Sequence, residues 1–164
     1  MSESNALLLE AELAFRNGDI SKAEVLCRRQ LRAHPTDADA LHLLGLLHAA
    51  RGDDTEAVRL FVQSLTYSPE NTEVCCDLAT AYHKCGLSTE AIRHLTGVIS
   101  IHPNCYRAYG QLATLYYQVG RHSDAAALYR DWFSRDPTSV EVQHMVLATQ
   151  SGENPPPRCS DEPR

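Results

Sequence analysis

The sequence predicts an all-α fold made of four stacked helix–turn–helix repeats, and two observations predict it. A proline recurs every 34 residues, and three columns of glycine or other small residues keep the same interval without an insertion. The prolines are Pro35, Pro69, Pro103 and Pro137; the small residues are Gly18, Gly52, Gly86 and Gly120, then Ala23, Ala57, Ala91 and Ala125, then Ala11, Gly45, Ala79 and Ala113. A 34-residue period of this content is typical of stacked helical hairpins.

Each element of the repeat has a physical reason. The glycine ends the first helix because it adopts a left-handed conformation without a Cβ penalty. In the first repeat, Asp19 to Ser21 can cap the second helix. The proline ends the second helix because it cannot continue the backbone hydrogen-bond ladder. Gly45 and Ala57 are small because the two helices of their repeat are expected to cross at close approach.

This register divides the chain into segments. We expect the repeats to cover residues 4–37, 38–71, 72–105 and 106–139, followed by a capping helix over residues 140–150. Such a helix would cover the last apolar face, which a stacked array requires for solubility. Residues 151–164 contain three successive prolines and are expected to form an extended linker or a frayed tail.

Composition excludes several classes of function. The net charge of −6 argues against general nucleic-acid binding. No stretch approaches the roughly 20 apolar residues of a membrane span, and the first residues lack the features of a secretory signal, so we expect a cytoplasmic protein. The six cysteines and eight histidines show no metal-ligand spacing, and motifs for catalysis or phosphate binding are absent. We therefore predict no enzyme activity, no cofactor and no metal.

The columns Leu44-Gly45, Tyr82, Ala91 and Pro103, with their counterparts, resemble the tetratricopeptide repeat family over residues 4 to 139. The resemblance implies a right-handed superhelical solenoid in which the first helix of each repeat lines a concave groove. It also implies a protein–protein interaction scaffold that holds a peptide or helix of a partner protein, as yet unidentified, in that groove.

The repeat register assigns the groove positions that the family resemblance implies. In the first repeat they include Leu8 and Glu12. In the later repeats the candidate partner-binding residues are Asp39, His42, Leu46, Glu73, Cys76, Thr80, His83, Lys84, Arg107, Thr114, Tyr117 and Gln118. Their character changes from acidic and apolar to basic and polar along the chain. A peptide with a hydrophobic part followed by an acidic part is expected to suit this gradient.

Two alternatives remain open. Residues 152 to 161 resemble the linker of bacterial proteins in which these repeats precede an S-adenosylmethionine-dependent methyltransferase domain. The chain would then be a module that recruits substrates for an enzyme encoded beyond Arg164. Separately, Leu7, Leu8, Leu9 and Leu13 are too many apolar positions for one buried stripe, so the first helix can support self-assembly as a homodimer.

Overall fold

The computed structural model describes residues 3–135, 137, 138, 143 and 146, and within these residues it contains helices and turns but no strand. This confirms the all-α prediction. The helices are α1 (Glu3–Arg16), α2 (Ile20–Ala33), α3 (Ala38–Ala50), α4 (Asp54–Tyr67), α5 (Thr72–Lys84), α6 (Ser88–Ile101), α7 (Tyr106–Gln118) and α8 (His122–Arg135). Two of these helices correspond to each predicted repeat interval, with α1 beginning one residue before the first interval, and the repeat boundaries themselves stay a prediction.

The turns between paired helices follow the predicted chemistry. The four periodic glycines adopt φ angles between 78° and 81°, the left-handed region that favours glycine: Gly18, Gly52, Gly86 and Gly120. The carboxylate of Asp19 accepts a hydrogen bond from the Lys22 amide at 3.0 Å and so caps α2. Further carboxylate or amide caps begin α3, α4 and α5. Each cap satisfies amide groups that the first turn of a helix otherwise leaves unpaired.

The chain divides into two compact units, and unit 1 comprises Met1–Leu87 with α1 to α5. Among the odd-numbered helices, α3 contacts both α1 and α5, while α2 packs on α1 and α3, and α4 packs on α3 and α5. Two core clusters fill the unit, one centred on Leu44 and Leu47 and the other on Phe61 and Leu78.

The close approach predicted at Gly45 is confirmed. A Cβ atom at this position would lie only 2.5 Å from Cε1 and 2.7 Å from Cδ1 of Phe61, a fully buried ring on α4. Carbon atoms in contact are normally about 3.5–4.0 Å apart. The absence of a side chain at Gly45 therefore makes room for the Phe61 ring.

Polar side chains also join the helices of unit 1. The buried Gln30 on α2 donates to Asp37 at 2.6 Å, and Asp37 caps α3 by accepting from the Ala40 amide at 3.0 Å. The buried Ser64 on α4 donates to the carbonyl of Ala38 at 2.8 Å. These contacts fix the first turn of α3 from both neighbouring even-numbered helices.

An ion-pair bridge adds to these links on the surface of unit 1. Glu24 on α2 accepts from Arg28 at 2.8 Å and from Arg51, which lies just beyond α3. The hydrogen bonds from Arg28 and Arg51 lower the pKa of Glu24 below its ordinary value.

Unit 2 comprises Ser88–Arg164, and its described helices are α6, α7 and α8. Its core is aromatic. The ring centroid of Trp132 lies 5.5 Å from that of Tyr106, with the two rings stacked, and 5.8 Å from that of Tyr109. Val146 packs against this cluster, and Gln143 and Val146 are helical. The rest of the predicted capping helix, and the predicted tail over residues 151–164, lie outside the described residues.

The described cysteines are thiols rather than disulfides: Cys27, Cys75, Cys76, Cys85 and Cys105. Burial raises the pKa of Cys27 to about 12, so this thiol stays protonated at neutral pH and behaves as a small apolar side chain. Within the part of the chain that the structure describes, no three or more histidine, cysteine or acidic side chains cluster as metal ligands. None of the described helices is long and apolar enough to cross a membrane.

Candidate protein-interaction surface

The candidate surface of unit 1 is the side of α1, α3 and α5 that carries Glu12, Asp39, His42, Leu46, Glu73 and Thr80, and we call it the odd-helix face. On α3 the spacing of three and then four residues between Asp39, His42 and Leu46 places them on one side of the helix. Asp39, Glu73 and Thr80 are exposed, whereas Glu12, His42 and Leu46 are half-buried. Leu46 packs against both core clusters of the unit, so the face has an apolar centre.

His42 is held in place by contacts on two sides. Its Nε2 lies 2.7 Å from Oδ2 of Asp77 on α5, and both side chains are largely buried. Its ring lies 5.6 Å from the ring of Phe61 at a tilted angle, an arrangement that aromatic pairs favour. The sequence register placed His42 on the face but did not identify Asp77 as its partner. The two residues lie 35 positions apart, one repeat plus one residue.

The cationic end of the predicted surface is partly neutralised. Lys84 at the end of α5 places its ammonium 3.6 Å from a carboxylate oxygen of Asp54 on α4. At this distance the two groups form an ion pair but no hydrogen bond. The Asp54 oxygen in this pair, Oδ1, has no hydrogen-bond partner. The neighbouring His83 is half-buried. Sequence reasoning did not identify Asp54, whose role depends on the packing of α4 against α5.

Cys76 needs a correction. The register placed it on the groove, but its side chain is fully buried. Thr80, one helical turn later, is exposed, and its hydroxyl donates to the Cys76 carbonyl at 3.2 Å. Cys76 therefore offers no surface to a partner in this structure, and we omit it from the candidate surface.

Three carboxylates on the odd-helix face differ from most others in unit 1. They are Glu12, Asp39 and Glu73. Among the residues that the structure describes, none of these three side chains forms an ion pair or accepts a hydrogen bond. Several carboxylates elsewhere in the unit are paired with Lys22, Arg28, Arg51, His48 or Arg59. The face therefore carries negative charge that the folded unit does not neutralise by direct contact.

The candidate residues of unit 2 lie on α7. Arg107, Thr114 and Tyr117 are half-buried, and Gln118 is exposed. The Thr114 hydroxyl donates to the carbonyl four residues earlier at 2.9 Å. The ring of Tyr117 lies 5.2 Å from that of His122, and burial raises the pKa of Tyr117. The phenol is therefore neutral at physiological pH and can exchange hydrogen bonds with a partner.

The four leucines proposed for a homodimer have different environments. Leu7 and Leu8 are half-buried and pack against the core of unit 1, so they offer less surface to a second chain than the other two. Leu9 and Leu13 are 53% and 52% exposed. Self-association through Leu9 and Leu13 stays a prediction, and a monomer in concentrated sedimentation experiments would contradict it.

Eight helices among the described residues, with positive-φ glycines at a 34-residue interval between paired helices, define the protein as a helical-repeat protein. Two family models, both described as tetratricopeptide repeat, match residues 6–70 and 86–148. The chain belongs to the tetratricopeptide repeat family. No sequence match was found among curated proteins.

Solved structures of repeat proteins share the fold. A mutant of the O-GlcNAc transferase of Thermobaculum terrenum is 27% identical with a TM-score of 0.73; the match covers 82% of this chain but only 27% of the transferase. The Pseudomonas aeruginosa protein PilF is 16% identical with a TM-score of 0.77, over 91% of this chain and 68% of PilF. The protein YrrB, described as having an unusual peptide-binding site, is 18% identical with a TM-score of 0.68, over 89% and 75% of the two chains.

Family membership supports a general role as a protein-interaction scaffold. Proteins of this family act in general by binding other proteins rather than by catalysis, although the transferase shows that the repeats also accompany catalytic domains. The chain spans about a quarter of that transferase. The transferase's own activity is therefore not assigned to this chain.

Proposed function

We propose that the odd-helix face of unit 1 binds a peptide or helix of a partner protein. The observation that carries the proposal is the arrangement of two layers of helices, in which α2 and α4 pack against α1, α3 and α5. The odd-numbered helices carry half-buried Leu46 and His42 together with exposed Asp39, Glu73 and Thr80 at groove positions of the repeat register. An apolar centre with a polar rim is typical of protein-binding surfaces.

The face accommodates two known modes of peptide recognition. An amphipathic helix would place its apolar side on Leu46, while an extended segment would cross the three helices in turn. His42 can contribute to binding in either mode, because its contacts with Asp77 and Phe61 hold its ring in one orientation. A side chain fixed before binding loses less conformational entropy when the partner arrives. In unit 2, Arg107, Thr114, Tyr117 and Gln118 on α7 are proposed as further contacts.

A pair of matched substitutions tests the odd-helix face. Thr80 on α5 and Thr66 on α4 are both exposed, and each hydroxyl donates to the carbonyl four residues earlier, at 3.2 and 3.0 Å. Thr80→Trp places a bulky ring on the face, whereas Thr66→Trp places the same ring on an even-numbered helix. The two variants therefore carry the same chemical change in similar local settings.

The assay is selection of peptides from a random library on the full chain, followed by affinity measurement by isothermal titration calorimetry. We expect the selected peptides to bind the Thr80→Trp variant at least about tenfold more weakly than the wild type, and the Thr66→Trp variant with unchanged affinity. Failure to select any peptide, or equal binding to all three proteins, would refute the proposal.

The recruiting-module alternative rests on the resemblance of residues 152–161, which lie outside the described residues. The similarity to part of a transferase supports an arrangement in which such repeats accompany an enzyme. Sequencing the coding DNA beyond Arg164 tests it. An in-frame methyltransferase domain would support the alternative, and a natural stop codon would remove it.

A further inference from the structure

We infer that the segment bound by the odd-helix face of unit 1 is cationic, with lysine or arginine side chains roughly 8–10 Å apart. The inference rests on the proposed function because it specifies the chemistry of the partner that this face would hold. It begins from the three carboxylates of Glu12, Asp39 and Glu73, which have no ion-pair partner among the described residues.

The sequence register predicts a surface that is acidic and apolar at its start and basic further along, and the contacts within unit 1 indicate which of these charges lack a partner. Asp77 already has a partner in His42, whose Nε2 lies 2.7 Å from Oδ2 of the Asp77 carboxylate. The cationic Lys84 lies 3.6 Å from Asp54, which reduces its attraction for an acidic peptide. The charge that unit 1 leaves without direct compensation on this face is therefore negative. A cationic segment therefore complements the charge of unit 1.

Helix stability does not account for all three carboxylates. Asp39 and Glu73 are each the second residue of a helix, where the helix dipole favours an acidic side chain even without a ligand. Glu12 is the tenth of the 14 residues of α1 and lies within its last two turns, where the dipole gives an acidic side chain no advantage. Glu12 is therefore the residue whose charge distinguishes recognition of a cationic partner from helix stabilisation.

The spacing of the carboxylates specifies the spacing of the cations. Asp39 and Glu73 occupy the same repeat position on neighbouring helices, and packed helices lie roughly 8–10 Å apart. Residues three apart in a polyproline II segment project on the same side at about 9 Å. A second row, 34 residues apart, contains Glu12, Leu46 and Thr80. A partner segment that places a cation next to Glu12 and an apolar side chain next to Leu46 would match this row.

The closing experiment uses the composition of the library-selected peptides and a charge-matched pair of variants. The test variant combines Glu12→Gln, Asp39→Asn and Glu73→Gln on the face. The control combines Glu10→Gln, Glu56→Gln and Glu90→Gln, which change the net charge equally at other surfaces. Glu12→Gln is also measured alone, and urea unfolding confirms that each variant is folded at the assay temperature.

Selected peptides are expected to be enriched in lysine and arginine at a spacing of three residues. Each lost carboxylate should weaken binding about twofold to fivefold, the control should bind like the wild type, and affinity should fall as sodium chloride rises from roughly 0.05 M to roughly 0.5 M. Neutral or acidic peptides that compete at the face, or equal losses in the test and control variants, would overturn this inference while leaving the proposed function intact. A library that yields no binding peptide would overturn both.

Discussion

Replacing Gly45 by alanine tests the packing that brings α3 and α4 together beneath the odd-helix face. The new methyl carbon would lie 2.5 Å from Cε1 of Phe61, about 1 Å inside a normal carbon contact. The ring cannot move into solvent, since it is only 1% exposed and shares a buried cluster with Val74, Leu78 and Ala81. The substitution therefore forces either the ring or the helix backbone to shift.

Two effects of opposite sign set the magnitude. Overpacking of a buried site costs about 1–3 kcal/mol. Alanine is more favourable than glycine within a helix by about 1 kcal/mol. Gly45→Ala is therefore expected to lower the free energy of unfolding by about 1 kcal/mol. The control is Gly97→Ala on α6, where a Cβ atom would meet nothing within 4 Å. That variant should gain stability by about the helix-propensity difference alone.

Urea unfolding followed by circular dichroism measures both variants against the wild type. Because the propensity gain is common to both, the difference between their stabilities gives the packing cost, about 1–3 kcal/mol. With a typical slope of about 1–3 kcal/mol per molar urea, the two midpoints should differ by about 1 M. Replacing the Phe61 ring by a smaller side chain, in a Gly45→Ala, Phe61→Leu double variant, should relieve part of this packing cost. Equal stabilisation by the two alanines would refute the close-approach argument.

Three further predictions concern buried and paired groups. His42→Ala leaves the Asp77 carboxylate without its histidine and should cost about 1–3 kcal/mol, with a double-mutant cycle against Asp77→Ala showing coupling. The lowered pKa of Glu24 stabilises the fold above the ordinary value of 4.5, and this contribution is lost as pH falls through the folded pKa. Urea unfolding should therefore show Glu24→Gln less stable than the wild type at about pH 7, with the difference shrinking as the pH falls below the ordinary carboxyl range and through the lowered pKa of Glu24. Cys85 should react with a thiol reagent at about pH 8, and mass mapping should find Cys27 unlabelled until the chain unfolds.

The fold could be predicted from the sequence because its periodic positions obey local steric rules. Gly52 adopts a φ of 81°, a conformation that costs a residue with a Cβ atom about 1–2 kcal/mol. Gly45 is small because Phe61 occupies the space beside it. Such constraints act at every repeat, so they appear in one sequence as columns. The all-α class and the tetratricopeptide repeat family were correctly predicted from these columns.

The candidate surface could be predicted only in part. The register placed Asp39, His42 and Thr80 on one side of the odd-numbered helices, because helical spacing determines direction. It placed Cys76 there as well, although Cys76 is fully buried. Burial depends on how neighbouring elements pack, which the period does not specify. The contact between His42 and Asp77 was missed for the same reason, since it depends on the approach of two helices.

The links at the first turn of α3 have a consequence for how unit 1 opens. The buried side chains of Gln30 and Ser64 hold this turn by hydrogen bonds to Asp37 and to the carbonyl of Ala38, respectively. Opening the turn would leave two buried polar side chains without these partners, each at a cost of about 1–3 kcal/mol. Amide protons of α2, α3 and α4 are therefore expected to exchange with solvent together, as one cooperative unit, rather than helical pair by helical pair. A ligand on α3 would then slow exchange in helices that it never touches.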